Sequence, residues 1–331
     1  MSENIFEVDH LSLHYLGRFG DKTHAVTDVS FSMKQGEILG IAGESGCGKS
    51  TLVSGLMGMC IPPLFPTSGD VRVKNGDKME SLMNRSIEDI RSHVLAQKVS
   101  MIPQGAFNAL NPVRKIKDIA ADVIAAHQTA GNINKNEIYD RLRERFDLFG
   151  MDTNRVLNSY PIQLTAGERQ RSVIGISTLL NPQMVIADEP TSALDVSTQK
   201  EVIKMIFDLL DKGIFSTMIF ITHELPLLYH VADNIAIMYA GEIVEKGTAE
   251  QVVKAPRHPY TQALMGAMLS TEQSQRTRKP VAIEGAPPSL KKAIVGCRFA
   301  DRCARACADC KKNTQELRIV GDRQVRCDYA K

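Results

Sequence analysis

Long apolar runs are missing from this sequence: no stretch approaches the roughly eighteen residues that a membrane-spanning helix needs. An excess of charge of one sign is missing too. Lys and Arg number 40 and Asp and Glu 38, a formal net charge of +2, so no global field draws the chain to nucleic acid. The first residues, MSENIFEVDH, lack the basic start and apolar core of a secretory signal. A cytosolic protein is therefore expected, in a compartment where thiols are normally reduced. No internal repeat is visible, so one unit is expected rather than a tandem pair. Its 331 residues suffice for one large domain plus an appendage, or for two domains. A hydrophobic content of 43% and a charged content of 24% are ordinary for a globular chain.

Cysteine is sparse until the end of the chain. Cys47 and Cys60 stand alone, whereas Cys297, Cys303, Cys307, Cys310 and Cys327 crowd the last 35 residues. In a reducing compartment such a cluster points to metal binding before a disulfide framework.

The periodicity changes along the chain. Residues 5–15 (IFEVDHLSLHY) alternate apolar and polar, as an edge-forming strand would. Residues 25–43 (AVTDVSFSMKQGEILGIAG) repeat that pattern, with a turn at Gly36. The segment then enters a glycine-rich loop, and STLVSGLMGM follows at helical spacing: strand, phosphate loop, helix. Apolar residues recur at helical spacing in IKDIAADVIAAHQ and EIYDRLRERFDLFGM, within residues 115–151. QMVIAD and TMIFITH are short continuous apolar runs, typical of buried parallel strands. KEVIKMIFDLLDKG forms an amphipathic helix ending at a glycine cap, and IAIMYAGEIVEKG a hairpin. From about residue 246 the texture shifts to a linker, a helix and a basic tail. Residues 271–331 hold 14 Lys and Arg against 7 Asp and Glu. The expected fold is α/β: a parallel core sheet with helices carries the phosphate loop. A helical subdomain lies near 105–165, the main domain covers 1–245, and a small C-terminal extension covers 246–331.

Gly43, Gly48, Lys49 and Ser50 satisfy the pattern G-x-x-x-x-G-K-S, after a strand and before a helix. Such a loop, here Gly43, Glu44, Ser45, Gly46, Cys47, Gly48, Lys49, Ser50 and Thr51, turns backbone N–H groups around phosphate oxygens, and the helix N-terminus adds its dipole. Lys49 supplies a point charge, and the Ser50 hydroxyl can ligate magnesium. Asp188 and Glu189 follow the apolar run MVIA. An Asp there can hold magnesium, and a Glu beside it can orient or deprotonate an attacking water. The two stretches complement each other as halves of a nucleoside triphosphatase site.

More stretches now fit one family: SMIPQ ending at Gln104, LTAGERQR at 164–171, SALD at 192–195, and ITH ending at His223. Together with the phosphate loop and DEP, these resemble the nucleotide-binding subunit of an ABC transporter. The resemblance implies a P-loop core with an antiparallel β subdomain and a helical subdomain. It implies that Gln104 senses magnesium and the membrane partner, that His223 contacts the terminal phosphate, and that Asp195 lies at the interface of two such subunits. Tyr15 resembles the aromatic that stacks on adenine; a core tyrosine is the alternative. The family's signature is typically L-S-G-G-Q, and here Leu164, Thr165, Ala166, Gly167 and Glu168 stand in its place. Ala166 adds a Cβ where glycine allows the closest approach, and Glu168 places a negative charge near a polyphosphate. In this family the signature completes the partner's site, so pairing with a non-identical subunit and unequal sites are expected.

APRHPYTQALM, ALNP and the late cysteines resemble the dipeptide/oligopeptide importer branch, which also contains nickel and oligosaccharide systems. The resemblance implies two transmembrane permease subunits and, indirectly, an extracytoplasmic substrate-binding protein. It places the chain peripherally on the cytoplasmic side of the cell membrane, with no nucleic-acid partner and with ATP and Mg2+ bound. Peptides lead as the solute, with oligosaccharides and metal chelates open. The branch's tail pattern, C-x5-C-x6-C and a distant C, is matched by Cys297, Cys303, Cys310 and Cys327, with Cys307 extra. Four thiolates at such spacings can hold an iron–sulfur cluster or zinc; the resemblance favours [4Fe–4S]. A reduced, metal-free tail is the alternative. The basic residues would offset a thiolate-ligated cluster, or form a solvated face or a lipid contact. A soluble ABC ATPase acting in DNA repair or on ribosomes is the competing class. The 59 residues between Gln104 and Leu164 leave no room for a long coiled-coil insertion, and the chain carries one cassette.

Overall fold

The alternation near the N-terminus builds a twisted antiparallel sheet. In the computed structural model, which describes residues 3–105, 109–127, 135–192, 194–267, 282–292 and 294–330, β1 (Asn4–Leu16) pairs with β2 (Lys22–Lys34). After β3 (Ile38–Ala42) and helix α1 (Lys49–Leu56), β4 (Leu64–Asn75) joins the other side of β1, and β5 (Lys78–Ser81) follows. The order is β2-β1-β4-β5. Thus β1 is an interior strand and not the edge its pattern suggested. Alternation reports one buried face, here Phe6, Val8, Leu11 and Leu13, and carries no count of lateral neighbours.

The continuous apolar runs form the second sheet. Its parallel part runs β6 (Val99–Ile102), β7 (Met184–Asp188), β8 (Thr217–Ile221), β3 and β9 (Asn234–Tyr239). Every residue of β3, β7 and β8 is buried, because both faces are covered. β9 turns at Ala240 and Gly241 into antiparallel β10 (Glu242–Thr248), as the hairpin pattern implied. The sheet continues through β12 (Arg323–Val325) to β11 (Arg318–Val320). The chain's last segment therefore extends the central sheet, and β10 spans the expected boundary at residue 245.

Between β6 and β7 lie α2 (Ile116–Ala126), α3 (Lys135–Leu148), α4 (Thr153–Asn158) and α5 (Ala166–Ser177). Residues 106–108 and 128–134 of the expected helical subdomain lie outside the described residues, as do Ala193 of the SALD stretch and 268–281 of the tail. α6 (Val196–Asp211) is the expected amphipathic helix, closing at Gly213 with φ 69°. α7 (Leu225–Val231), α8 (Ala249–Lys254) and α9 (Pro259–Gly266) complete the helices used below. One apolar core fills the space between the sheets, around Leu11, Val29, Ile41 and Leu52. The other lies under the helices, from Phe146 and Ile174 to Tyr260 and Phe299.

Candidate active site

The phosphate loop leaves the C-terminal end of the central strand β3. Two of its glycines are required sterically. A Cβ at Gly43 would stand 2.1 Å from the Met238 carbonyl oxygen, and one at Gly48 would stand 2.3 Å from that of Ala25. Gly48 also has φ 107°, a region closed to other residues. Lys49 is buried, and its Nζ donates to the carbonyls of Gly43 (2.8 Å) and Glu44 (3.1 Å). Cys47 faces inward, its thiol pushed up by burial. Its N–H donates to the Glu44 carbonyl at 3.2 Å.

A cleft of about 690 Å³ opens over this loop, within the size range of small-molecule sites. Tyr15, Ser45, Gly46, Gly48, Lys49, Ser50, Thr51, Gln104, Glu189 and His223 line it. Tyr15 comes from β1, and its hydroxyl lies 3.1 Å from Thr51 Oγ1. Asp188, at the end of β7, sits beneath the cleft with its carboxyl hydrogen-bonded to Ser50. Burial and then the neighbouring Glu189 charge raise the Asp188 pKa. A hydroxyl and a carboxylate at this contact fit a magnesium ion, which would favour the ionised acid.

Glu189 is held in the left-handed region, φ 46°. That conformation costs about 1–2 kcal/mol in a residue with a Cβ. Its N–H donates to the Ile221 carbonyl at 2.8 Å. Gln104 Nε2 donates to Glu189 Oε2 at 3.0 Å, and His223 Nδ1 hydrogen-bonds Glu189 Oε1 at 3.2 Å. Three strand ends thus bring Gln104, Glu189 and His223 into one chain across the cleft from Lys49.

The signature residues and Asp195 do not line this cleft. Thr165 caps α5: its Oγ1 accepts the Glu168 N–H at 3.2 Å, and Glu168 Oε2 accepts the Thr165 N–H at 2.9 Å. This is a capping box, S/T-x-x-E, a pattern present in the sequence and missed there. Arg155 ion-pairs with the other Glu168 oxygen. The carboxylate is turned into its own helix start, and these hydrogen bonds hold it below its ordinary range against the opposing effect of burial. Asp195 caps α6, accepting the N–H groups of Ser197 (3.0 Å) and Thr198 (3.1 Å) and both hydroxyls. Those bonds depress its pKa strongly.

Cys297, Cys303, Cys310 and Cys327 line one cavity of about 40 Å³, together with His258, Phe299 and Tyr329. Burial, with smaller contributions from the other thiols, pushes Cys297 up to about 11. Cys307 is exposed, its Sγ 3.4 Å from that of Cys310. Among the described residues, no three His, Cys, Asp or Glu side chains are grouped to hold a single metal ion. The tail's basic excess has a role the sequence did not indicate. Arg298, Arg302, Arg323 and Arg326 are buried against Glu242, Glu44, Glu245 and Asp28 of the main body. Two further contacts were also missed. Leu290 lines the cleft, its carbonyl accepting the His24 N–H at 2.9 Å, and Arg302 reaches Glu44 of the phosphate loop from outside the cleft lining; neither carries a motif.

Comparison with known proteins agrees with this geometry. Residues 26–192 match the ABC transporter family, and residues 244–310 match the oligopeptide/dipeptide transporter C-terminal region. A probable peptide ABC transporter ATP-binding protein of Sinorhizobium fredii is 33% identical, over 95% of this chain and 91% of its own length. The dipeptide transport ATP-binding protein DppD of Caldanaerobacter subterraneus is 34% identical, over 98% and 96%. In fold, the chain resembles the dimeric ATP-binding cassette MJ0796 bound to ADP and Pi. That match has a TM-score of 0.62 at 23% identity, covering 74% of this chain and 99% of that one. Among the described residues no helix is long and apolar enough to cross a membrane. The chain belongs to the ABC transporter family: it is an ABC ATPase carrying the C-terminal region of the oligopeptide/dipeptide transporters.

Proposed function

We propose that this chain is the ATP-hydrolysing motor subunit of a membrane importer that takes up peptides. It docks on the cytoplasmic side of the cell membrane against two transmembrane permease subunits, and an extracytoplasmic binding protein presents the solute to them. The observation that carries the catalytic part is the Gln104–Glu189–His223 chain facing the phosphate loop. Peptide uptake is supported by the names of the relatives and by the C-terminal region match.

The roles follow from placement. Loop amides and Lys49 bind the phosphates, Tyr15 meets the base, and Ser50, Asp188 and Gln104 hold magnesium. The ion supplies charge neutralisation when bound. Glu189 accepts the proton of the attacking water as its oxygen bonds to the terminal phosphorus. The bond to the leaving ADP oxygen breaks with its electron pair. His223 steadies Glu189 and the terminal phosphate. The signature, turned away from its own cleft, serves the nucleotide of a second, non-identical ATPase subunit. Arg155 compensates the Glu168 charge, which leaves the Ala166 methyl as the main departure.

The four-thiol cavity supports a [4Fe–4S] cluster, with zinc as the alternative. The thiols surround a space instead of converging on a point, which suits a cluster of several metal atoms. Cys297, Cys303, Cys310 and Cys327 would be its ligands, in a small cysteine-rich domain on the chain's last segment. Purification from native membranes, with iron and labile sulfide assayed in the same sample, tests the whole reading. Two membrane subunits, a second ATPase and about four irons per chain are expected. A chain bound to ribosomes or DNA, without membrane subunits, would overturn it.

A further inference from the structure

Glu44 lies inside the phosphate loop, yet its partners come from outside it. Tyr260, on α9, accepts the Glu44 N–H through its hydroxyl at 3.0 Å. Arg302 grips the carboxylate with two prongs: Nη1 to Oε2 at 2.7 Å and Nη2 to Oε1 at 3.0 Å. The other donors of this guanidinium are also used. Nη1 donates to Tyr239 Oη at 3.2 Å, Nε to the Glu284 carbonyl at 3.1 Å, and Nη2 to the Ile283 carbonyl at 3.3 Å. The fork's five N–H groups thus meet five acceptors. The Tyr239 ring centroid lies 5.7 Å from the guanidinium carbon. The Arg302 side chain is only 5% exposed. A fully satisfied, desolvated guanidinium is held in one geometry. It cannot simply swing away into solvent.

The position of the pair matters for the reaction. Lys49 Nζ donates to the Glu44 carbonyl, so the residue that Arg302 clamps also anchors the loop lysine. A bare carboxylate there would repel a polyphosphate. Glu44 lies in the loop but outside the cleft lining, so the repulsion acts through space from behind the loop. We propose that Arg302 is a positioning residue for nucleotide binding: it acts from the C-terminal region to fix Glu44 and cancel its charge within the phosphate loop. It is not a catalytic residue, because it touches neither the cleft lining nor Glu189. Cys303, which lines the cysteine cavity, is the next residue in the chain and closes the short turn (Ala300–Arg302) that carries Arg302.

The test is a charge cycle in the full chain, read by Mg·ATP binding in calorimetry and by steady-state hydrolysis. R302Q is expected to weaken ATP binding on the order of tenfold, raising KM in step while kcat stays within about twofold. R302K, which keeps a charge but not the fork, falls between. R302Q/E44Q, with neither charge, recovers most of the lost affinity. E44Q alone tightens ATP about twofold to threefold, since Arg302 is then an uncompensated cation behind the phosphate loop. Wild-type affinity in R302Q, or a double variant no better than R302Q, would overturn the proposal. Should R302Q not fold, weakened ATP binding in E44Q would overturn it equally.

Discussion

The nucleotide cleft and the cysteine cavity are built by opposite strategies. The cleft is open, about 690 Å³, and its chemistry sits at the ends of parallel strands: the loop after β3, Asp188 on β7, His223 after β8. The cavity is about 40 Å³ and belongs to irregular chain, pinned by buried ion pairs to the body. Strand ends are placed by a continuous apolar sheet, so short motifs suffice to mark that site. Irregular chain has no such scaffold. Its order depends on partners such as Glu242, Glu245 and Asp28, which lie 56 to 298 residues away from the arginines they bind. A site of the first kind depends on a few catalytic side chains, and a site of the second kind on how well its surroundings dock.

Five substitutions sharpen this contrast. Glu189→Gln removes the proposed proton acceptor but keeps the shape of the Gln104–Glu189–His223 chain. Phosphate release is expected to fall about 10²–10⁴-fold with ATP binding retained; hydrolysis near the wild-type rate would move the base elsewhere. In the cavity, the proposed cluster predicts that Cys303→Ser removes most of the iron and sulfide, whereas Cys307→Ser leaves both in place. Equal loss in the two would mean that Cys307 is a ligand. Tyr15→Ala is expected to weaken ATP by about 1–3 kcal/mol through lost base stacking, with Tyr15→Phe close to wild type; binding isotherms decide it.

The smallest effect is at the signature. Glu168→Gln keeps an acceptor for the capping box and is expected to cost about 0.5–1 kcal/mol of stability at pH 7, from the lost Arg155 pair and the lost negative charge at the helix start. The folded-state pKa of Glu168 lies below 4.5. Its contribution is therefore present above pH 4.5 and is lost as pH falls through the depressed value. Melting curves should show the gap between variant and wild type closing in acid, and a gap that widens below pH 4.5 would contradict the assignment.

The parts of the site that lie in contiguous chain were legible. Gly43 to Thr51, Asp188 with Glu189, and the buried runs around them each carry their signal locally, because a phosphate loop needs glycines and a parallel strand needs apolar residues on both faces. Glu168 was legible, but its role in capping its own helix was not drawn from it. The same T-x-x-E spelling serves a helix cap, and the carboxylate turns inward to it. The edge-strand expectation for residues 5–15 failed because pairing on β1's two sides leaves no mark on its alternation. The basic tail could be counted but not placed.

By itself, the sequence determined the kind of chemistry: a loop that binds phosphate, a carboxylate pair for metal and water, and thiols in one late cluster. Local backbone geometry and side-chain type fix those, so a short window carries them. Only the tertiary structure decided that Gln104, Glu189 and His223 form one hydrogen-bonded chain. The same holds for Leu290 reaching the cleft and for Arg302 gripping Glu44 from 258 residues away. The physical reason is that a charge pair or a lining residue depends on distance in space, and spatial neighbours become neighbours only once the sheets have stacked and the tail has docked.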